Sequence, residues 1–413
     1  MKGLRERLST AHQPFDGWLL LSALSLMLVG WVMVTSASSE VASGLTGNPF
    51  YFSIRHGLFV VMAIAVGYAV LWVPLGWWRV NGQLLLGVAV FLLLVVLIVG
   101  REVNGSTRWL SIPGLPLNLQ PSEIAKLCMI AYMAGYLERF LPMVRKTWGA
   151  FLRPLLVTGV IAFLLILEPD YGSVVVITGC VMGMLLMAGA PMWRFLLLLV
   201  LLAGLGLLLA IAEPYRMARL TSFSDPWADQ FASGYQLTQA LIAYGRGHWF
   251  GLGLGNSVQK LFYLPEAHTD FVFAVIAEEL GLIGAITVVG LFALLVIRAL
   301  AVGRRAELAK LPFAAYLSYG IALIIGAQAF INISVSTGML PTKGLTLPLL
   351  SYGGSSLVIS AVMVALLLRV DIETRQAVRR ASPTAPKSTS NKTSSSSRAK
   401  PNQTPTRRES ARD

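Results

Sequence analysis

Repeated long apolar runs constrain the fold of this chain more than any other feature. Ten stretches of about 20 mainly apolar residues follow one another, and a helix of that length spans the hydrocarbon of a bilayer. We place them at 17–37, 57–77, 82–100, 122–138, 151–168, 172–190, 194–212, 271–297, 313–337 and 345–369. Only 13% of the residues are charged, whereas soluble domains carry about 25%. The sequence therefore predicts an all-α, polytopic integral membrane protein with about ten transmembrane helices.

Basic residues indicate which ends of these helices face the cytoplasm. With both termini inside, 24 of the 33 Lys and Arg residues fall on the cytoplasmic side and eight on the other. Short loops rich in Lys and Arg remain in the cytoplasm during membrane insertion. We therefore predict that both termini are cytoplasmic and that the chain lies in the inner membrane. The net charge of +13 is spread over the loops and the tail, which favours anionic lipid heads over nucleic acid as its partner.

Composition divides the chain into three parts. Residues 1–16 are a short cytoplasmic N-terminus, and residues 17–370 form the transmembrane domain. Within that domain, the segment 213–269 carries aromatic residues, among them Trp227, Tyr235, Trp249, Phe250 and Tyr263, between polar and glycine positions. This pattern predicts a folded external loop with a functional role. Residues 371–413 are rich in Ser, Thr, Pro, Lys and Arg. Such a segment buries too little apolar surface to order itself, so we predict a disordered basic cytoplasmic tail.

Asp270 ends the polar part of the long loop, directly before the eighth apolar run. A carboxylate at the external membrane boundary is partly desolvated, which raises its pKa and suits it to act as a general base. An acidic residue at a helix start can also be only a cap or a partner for the helix dipole. His268, two residues earlier, could orient that carboxylate, help to hold a metal ion, or lie at the interface. The sequence leaves the metal question open.

Glu123 and Lys126 form a second group at the start of the fourth run. Their i, i+3 spacing places them on one face of a helix, and ionisable groups at membrane depth usually face a cavity or each other. They could be a structural ion pair. Alternatively, Lys126 contacts an anionic substrate or positions Asp270 across a cavity. Glu278 and Glu279 lie deeper along the eighth run, Glu278 about 80° around the helix from Asp270 and Glu279 on the side opposite Asp270. The sequence does not rank them.

Two further basic residues could contact phosphate. Arg108 can fork to a phosphate group, although the adjacent Trp109 is also typical of an interfacial aromatic belt. Lys343 lies in a stretch from 338 to 356 that contains two prolines and a pair of adjacent glycines. That stretch predicts a broken helix lining a cavity. Lys343 could bind phosphate there, or it could extend outward as a helix-end lysine.

Four strings in the membrane region resemble the shape, elongation, division and sporulation (SEDS) family of bacterial membrane glycosyltransferases. They are Gln120-Pro-Ser-Glu-Ile-Ala-Lys126, Tyr263-Leu-Pro-Glu-Ala-His-Thr-Asp-Phe271, Glu278-Glu-Leu-Gly281 and Ser351-Tyr-Gly-Gly-Ser-Ser356. The resemblance extends over about 17–370. Within the family, the strings 341–344 and 253–260 are more similar to the septal division branch than to the elongation branch.

The resemblance implies polymerisation of Lipid II into peptidoglycan glycan strands at the division septum. It implies a class B penicillin-binding protein, other division proteins and the membrane as partners. The essential aspartate of the family matches Asp270, and its cavity-lining Glu and Lys match Glu123 and Lys126. Arg108, Lys343 and His268 remain candidate substrate contacts. No cofactor is firmly implied, although a divalent cation could balance the charge of a pyrophosphate.

Two other functions fit a many-helix chain with buried charges. One is a flippase or transporter for Lipid II, although transporters often contain two similar halves and we find no clear internal repeat here. The other is a non-catalytic division scaffold, which leaves Asp270, Glu123 and Lys126 unexplained. Glycan polymerisation by the wild-type chain but not by Asp270→Ala distinguishes an enzyme from both alternatives.

Overall fold

The computed structural model describes residues 15–103, 106–111, 118–211, 225–228, 231, 234–261, 263–341 and 344–380. Lys343, the first 14 residues, residues 381–413 and much of 212–233 lie outside the described residues. In chain order the helices are α1 (Gly17–Thr46), α2 (Tyr51–Leu71), α3 (Leu75–Val99), α4 (Pro121–Lys146), α5 (Trp148–Leu167), α6 (Tyr171–Met187), α7 (Met192–Ile211), α8 (Tyr235–Gly247), α9 (Val272–Leu308), α10 (Pro312–Ser336) and α11 (Gly354–Arg380).

The predicted all-α membrane class is confirmed. Within the described residues, eight helices are long and apolar enough to cross a membrane, and α6 and the Met192–Leu208 part of α7 are shorter apolar helices. Each of the ten predicted runs coincides with one of these helices, but the number that cross the bilayer remains a prediction. The remaining helix, α8, lies in the predicted external loop and was not predicted as a separate element.

Local sequence explains several helix boundaries. The Asp16 carboxylate accepts a hydrogen bond from the backbone N–H of Leu19 and caps α1, which ends at Gly47 in the left-handed region. Pro121 occupies the first turn of α4, where a backbone N–H is not needed. Asp170 caps α6 by accepting hydrogen bonds from the backbone N–H and the hydroxyl of Ser173. Side chains with these roles are the usual helix-start residues.

The helices differ greatly in how much of their surface is buried. In the most apolar stretch of α10 and of α11, 72% of the residues are buried, against 22% in α2 and 28% in α3. Helix α10 contacts α4, α6, α9 and α11. The centre of the bundle is therefore α4, α10 and α11, while the large exposed apolar side chains of α2 and α3 face lipid.

A small sheet connects α3 to α4. Strands β1 (Arg101–Val103), β2 (Ser106–Ser111) and β3 (Asn118–Leu119) pair antiparallel in the order β1-β2-β3. Sequence reasoning assigned no strand here, because the residues are short polar segments between two apolar runs. The hairpin places Arg108 against the turn between α5 and α6.

The last predicted span and the start of the predicted tail need correction. The span was expected at 345–369, but residues 344–353 are not helical, and α11 runs from Gly354 to Arg380. The helix is extended by a buried ionic network in which Asp371 pairs with Arg305 and Arg375. Arg305 also pairs with Asp16 at the start of α1. Residues 371–380 are thus part of the folded domain rather than of a disordered tail.

Candidate functional site

Asp270 lies at one end of the bundle, in the loop that leads into α9. It is not the helix cap, because that position belongs to Phe271 and no side chain caps it. The backbone N–H of Asp270 donates to the carbonyl of Glu266, and the side-chain amide of Asn332 donates to the carbonyl of Asp270 over 2.9 Å. These two bonds hold the main chain. Neither bond involves the carboxylate group of Asp270.

The carboxylate of Asp270 faces the non-helical segment before α11. A Cβ atom added at Gly344 would lie 2.8 Å from Oδ2 of Asp270, so any other residue there would force the carboxylate to move. Asn332 also donates to the carbonyl of Leu345, which connects the same segment to the Asp270 loop. The stretch 338–356 was predicted to be a broken helix that lines a cavity. The structure instead has a non-helical connection at 344–353 and then an uninterrupted α11, and this connection abuts Asp270 at Gly344.

Burial and the charges around Asp270 together raise its pKa to about 7. Burial is the largest cause, because it disfavours the charged carboxylate. The negative charges of Glu266 and Asp170 raise the pKa further, and the Arg108 guanidinium lowers it. A carboxyl group that titrates near neutral pH has the properties of a general base.

Arg108 reaches the same end of the bundle from β2. Its guanidinium donates to the backbone carbonyls of Glu168 and Pro169 and lies 3.8 Å from the Asp170 carboxylate. The turn between α5 and α6 therefore orients Arg108. Its side chain keeps 24% of its surface exposed, so an anionic group can still approach it.

Glu168 is a buried carboxyl that sequence reasoning noted only as part of a short turn. The residue has no exposed surface, and neither carboxyl oxygen has a hydrogen-bond partner within the described residues. Burial raises the pKa of Glu168 to about 8, with Asp170 adding to the rise and Arg108 opposing it. Glu168 thus favours the neutral form beside Arg108. Its spacing from Arg108 in the chain gave no signal of this contact.

Glu123 and Lys126 form the predicted ion pair near the start of α4. The Lys126 Nζ lies 2.7 Å from Oε1 of Glu123, and the lysine has no exposed surface. Nζ also donates to Oε1 of Gln328 over 2.9 Å. The Gln328 amide in turn donates to the carbonyl of Thr346. Lys126 is therefore connected through one side chain to the segment that abuts Asp270, a connection that favours positioning of Asp270 over direct contact with substrate.

The ring of His268 belongs to an aromatic cluster rather than to a bond with Asp270. It lies 5.0 Å from the ring of Phe52 and 5.5 Å from that of Tyr352, centroid to centroid. The carbonyl of His268 accepts from the backbone N–H of Tyr352, and burial lowers the pKa of the imidazole. His268 therefore connects the Asp270 loop to the start of α11. Within the described residues, no group of three or more His, Cys, Asp or Glu is placed to hold a metal ion.

The two glutamates that the sequence did not rank both hold the long loop. Glu278 accepts from the hydroxyl of Ser257 and the backbone N–H of Val258. Glu279 accepts from Ser36 of α1 and pairs with Lys260 at 3.0 Å. Both glutamates are fully buried. Their partners show that they anchor the loop to α9, a role that spacing along the helix could not reveal.

Backbone hydrogen bonds also join this loop to α9 where the helix breaks. Gly281 has φ of 69°, so the helix is interrupted there. The N–H groups of Leu252 and Gly253 donate to the carbonyls of Glu278 and Glu279. In the other direction, the N–H groups of Leu282 and Ile283 donate to carbonyls of the loop at 248 and 249. The backbone groups freed by the break are therefore satisfied within the protein, as a membrane requires.

Comparison with known proteins fits this architecture. Residues 17–376 match the family described as cell cycle protein, which groups FtsW, RodA and SpoVE. The chain belongs to the SEDS family. A protein from Halomonas elongata, named probable peptidoglycan glycosyltransferase FtsW, is 77% identical over 93% of this chain and 97% of that protein. A protein of the same name from Hahella chejuensis is 55% identical over 88% and 92%.

Solved SEDS structures have the same fold. A chain from a structure described as structural coordination of polymerization and crosslinking by a peptidoglycan synthase complex matches with TM-score 0.70 and 28% identity. The match covers 87% of this chain and 98% of that one. The crystal structure of the Rod shape determining protein RodA from Thermus thermophilus matches with TM-score 0.63 and 27% identity, over 86% and 96% of the two chains. These matches confirm the SEDS fold.

Proposed function

We propose that this SEDS protein is a peptidoglycan glycosyltransferase that polymerises Lipid II at the division septum, with Asp270 as general base. The names of the relatives from Halomonas elongata and Hahella chejuensis support the activity and the septal branch. The observation that carries the mechanism is the environment of Asp270. Its carboxyl group is not a helix cap, has a pKa of about 7, and lies at the end of the bundle where Arg108 remains partly exposed.

The reaction requires only one base. The acceptor 4-hydroxyl gives its proton to Asp270 and forms a bond to the anomeric carbon of the donor. The bond from that carbon to the pyrophosphate oxygen breaks, and the prenyl pyrophosphate leaves as a stable anion. A glycosidase needs a second carboxyl group to protonate its leaving alkoxide, whereas a pyrophosphate leaves without one. This single displacement converts an α linkage into a β linkage.

The neighbouring groups have separate roles in this proposal. Arg108 faces the developing charge of the pyrophosphate, where a fixed cation favours the transition state. Lys126 positions the 344–346 segment through Gln328, and His268 holds the Asp270 loop against the start of α11. Lys343 remains a proposed phosphate contact. The partner we propose is a class B penicillin-binding protein, by analogy with the polymerisation and crosslinking described for the solved synthase complex.

The deciding experiment compares the wild-type chain, Asp270→Ala and Glu40→Ala, each purified with the partner transpeptidase and supplied with labelled Lipid II. Glu40 is an exposed acidic residue near the C-terminal end of α1, so its removal controls for the loss of one negative charge. We expect glycan polymer from the wild type and Glu40→Ala, and none from folded Asp270→Ala.

Three results would contradict the proposal in different ways. Equal polymer from Asp270→Ala would remove Asp270 as the base while leaving the activity. Movement of labelled Lipid II between leaflets without any glycan would instead identify a transporter. A chain that did neither would be a scaffold for division proteins.

A further inference from the structure

The end of the bundle opposite Asp270 contains a cleft between α3 and α4. Arg79, Gln83, Tyr132, Tyr136, Arg139 and Phe140 line it. Two of its wall residues are glycines, Gly82 and Gly135, which add no side-chain volume to it. A Cβ atom at Gly135 would find room, because only the carbonyl oxygen of Arg79 is nearby, at 3.9 Å.

The cleft lies at the level of the opposite lipid–water boundary. Arg139 is 16 residues beyond Glu123 on α4, which corresponds to about 24 Å along a helix. The hydrocarbon of a bilayer is about 30 Å thick, and Glu123 lies just inside the end of the bundle that holds Asp270. Arg139 therefore reaches the head groups of the leaflet on the other side.

Positive charge predominates around the cleft. Arg79 pairs with Glu138 at 2.7 Å and keeps 57% of its side chain exposed. Arg139 is exposed and has no ion-pair partner in the part of the chain that the structure describes. Arg153 on α5 lies near enough to act electrostatically on the Tyr136 phenol. Three arginines against one glutamate leave a net charge of about +2, and guanidinium groups match the geometry of phosphate oxygens.

An exposed apolar stripe begins at the mouth of the cleft. Val80 lines the cleft itself, and Leu84, Val88 and Phe91 continue along α3 at helical spacing. All four side chains are exposed, by 74, 65, 46 and 62% respectively. In a membrane-spanning helix such a stripe contacts acyl chains. A molecule with a phosphate in the cleft would therefore place its acyl chains along the stripe.

We propose that this cleft is a binding site for an anionic diacyl phospholipid of the leaflet opposite Asp270. The phosphate lies between Arg79 and Arg139 against the aromatic wall of Tyr132 and Tyr136, and one acyl chain lies along the stripe that begins at Val80. Basic pockets between transmembrane helices bind anionic lipid heads elsewhere by the same physics. The site is separate from the Asp270 end and does not depend on the proposed reaction.

The test measures lipid retained by the purified full chain, using native mass spectrometry. The probes are phosphatidylglycerol and phosphatidylcholine with identical acyl chains, each at the same concentration. We expect a clear preference of the wild type for phosphatidylglycerol. Arg79→Gln/Arg139→Gln should reduce binding of phosphatidylglycerol about tenfold or more, since each basic residue near a lipid surface contributes about 1 kcal/mol.

Two further variants distinguish binding at this cleft from nonspecific attraction of anionic lipid to exposed basic residues. Arg304→Gln/Lys310→Gln removes two exposed basic residues from the same end of the bundle, and Arg304 is paired with Glu307 as Arg79 is with Glu138. This control should keep the preference. Gly135→Val fills the cleft without changing charge and should lose the preference, while an unchanged melting temperature shows that it folds.

The proposal is overturned if Arg79→Gln/Arg139→Gln retains phosphatidylglycerol as well as the wild type does. It is also overturned if Arg304→Gln/Lys310→Gln loses as much phosphatidylglycerol binding as Arg79→Gln/Arg139→Gln. Millimolar inorganic phosphate serves as a competitor. Because it lacks acyl chains, it should displace little phosphatidylglycerol. Full displacement by inorganic phosphate would identify a site for free phosphate and would also overturn the lipid proposal.

Discussion

At the scale of single residues, the chemistry of this protein depends on how its neighbours set the protonation of one carboxyl group. Burial alone moves the Asp270 pKa upward, and the charges that surround it act in opposite directions. Glu266 and Asp170 favour the protonated form, whereas Arg108 favours the carboxylate. This balance gives a pH dependence whose sign can be predicted.

Polymerisation should rise with pH through about 7, because a base must be deprotonated to act. Glu266→Gln removes a negative charge that raises the Asp270 pKa, so the rising limb should move to lower pH. Arg108→Gln removes the positive charge that lowers the pKa, so the limb should move to higher pH. The measurement is the initial rate of glycan formation from pH 5 to 9. A profile that did not move in either variant would show that Asp270 is not the titrating base.

The buried pair of Glu123 and Lys126 allows a structural role to be separated from a functional one. Lys126→Met leaves the Glu123 carboxylate buried without its cation, which should cost about 3–5 kcal/mol of stability. Glu123→Gln/Lys126→Met leaves no unpaired charge and should regain most of that loss. We expect this double variant to remain inactive, because the bond from Lys126 to Gln328 is still missing. Thermal unfolding and polymerisation are both measured, and a fully active double variant would limit the pair to a structural role.

At the scale of elements, the break in α9 shows what sequence can and cannot predict. Apolar runs located the eight long apolar helices and the two shorter ones, since a membrane span needs a long apolar run whatever its neighbours are. The prolines and paired glycines of 338–356 correctly indicated a loss of helix, but it takes the form of a non-helical connection before α11 rather than a break within a span. The break at Gly281 and the loop bonded to it were not predicted, because the residues 248–253 and 278–283 that form it are distant in the chain.

The candidate site was predictable to a similar extent. Asp270, Glu123 and Lys126 stand out in sequence because charge is rare among apolar runs. Gln328 and Asn332 do not, because neutral amides within an apolar helix give little signal until their partners are known. Both connect the Asp270 loop, directly or through the 344–346 segment, to α10. Their importance depends on tertiary contacts that only the folded chain provides.

Replacing Gly281 tests the junction between α9 and the loop. Gly281→Ala places a Cβ atom 2.5 Å from the carbonyl oxygen of Trp249 and in contact with the backbone of Gly251, at a positive φ. The backbone strain alone should cost about 1–3 kcal/mol. Gly290→Ala on the same helix, with open space around its Cβ, is the matched control and should unfold at the wild-type temperature. If the two variants melted together, the junction would contribute no stability.

At the scale of the whole molecule, the fold separates two ends with different chemistry. Asp270, Arg108 and the 344–353 segment lie at one end, and the network of Asp16, Arg305 and Asp371 lies at the other. The predicted orientation assigns the first end to the outside and the second to the cytoplasm. Because both native cysteines are buried, single introduced thiols can test this assignment without background.

Ser43→Cys and Gly149→Cys report on the two ends in intact cells. Ser43 is exposed near the end of α1, about 39 Å from Gly17 along the helix. Gly149 is exposed at the start of α5, with nothing close to its Cβ position. We expect a membrane-impermeant maleimide to label Ser43→Cys in whole cells, and Gly149→Cys only after the cells are opened. The reverse pattern would invert the predicted topology.

The junction at Gly281 also has a consequence for the order in which the chain assembles. The outer turns of α9 complete their hydrogen bonding only through residues 248–253, and those residues leave the ribosome before α9 does. In the predicted orientation, this backbone segment belongs to the external loop and is translocated before α9 is inserted. Its polar groups are then available to the backbone of α9 at the break, where unpaired groups would be costly in lipid. We therefore expect that the preceding loop must be translocated before α9, and with it Asp270, takes its final position.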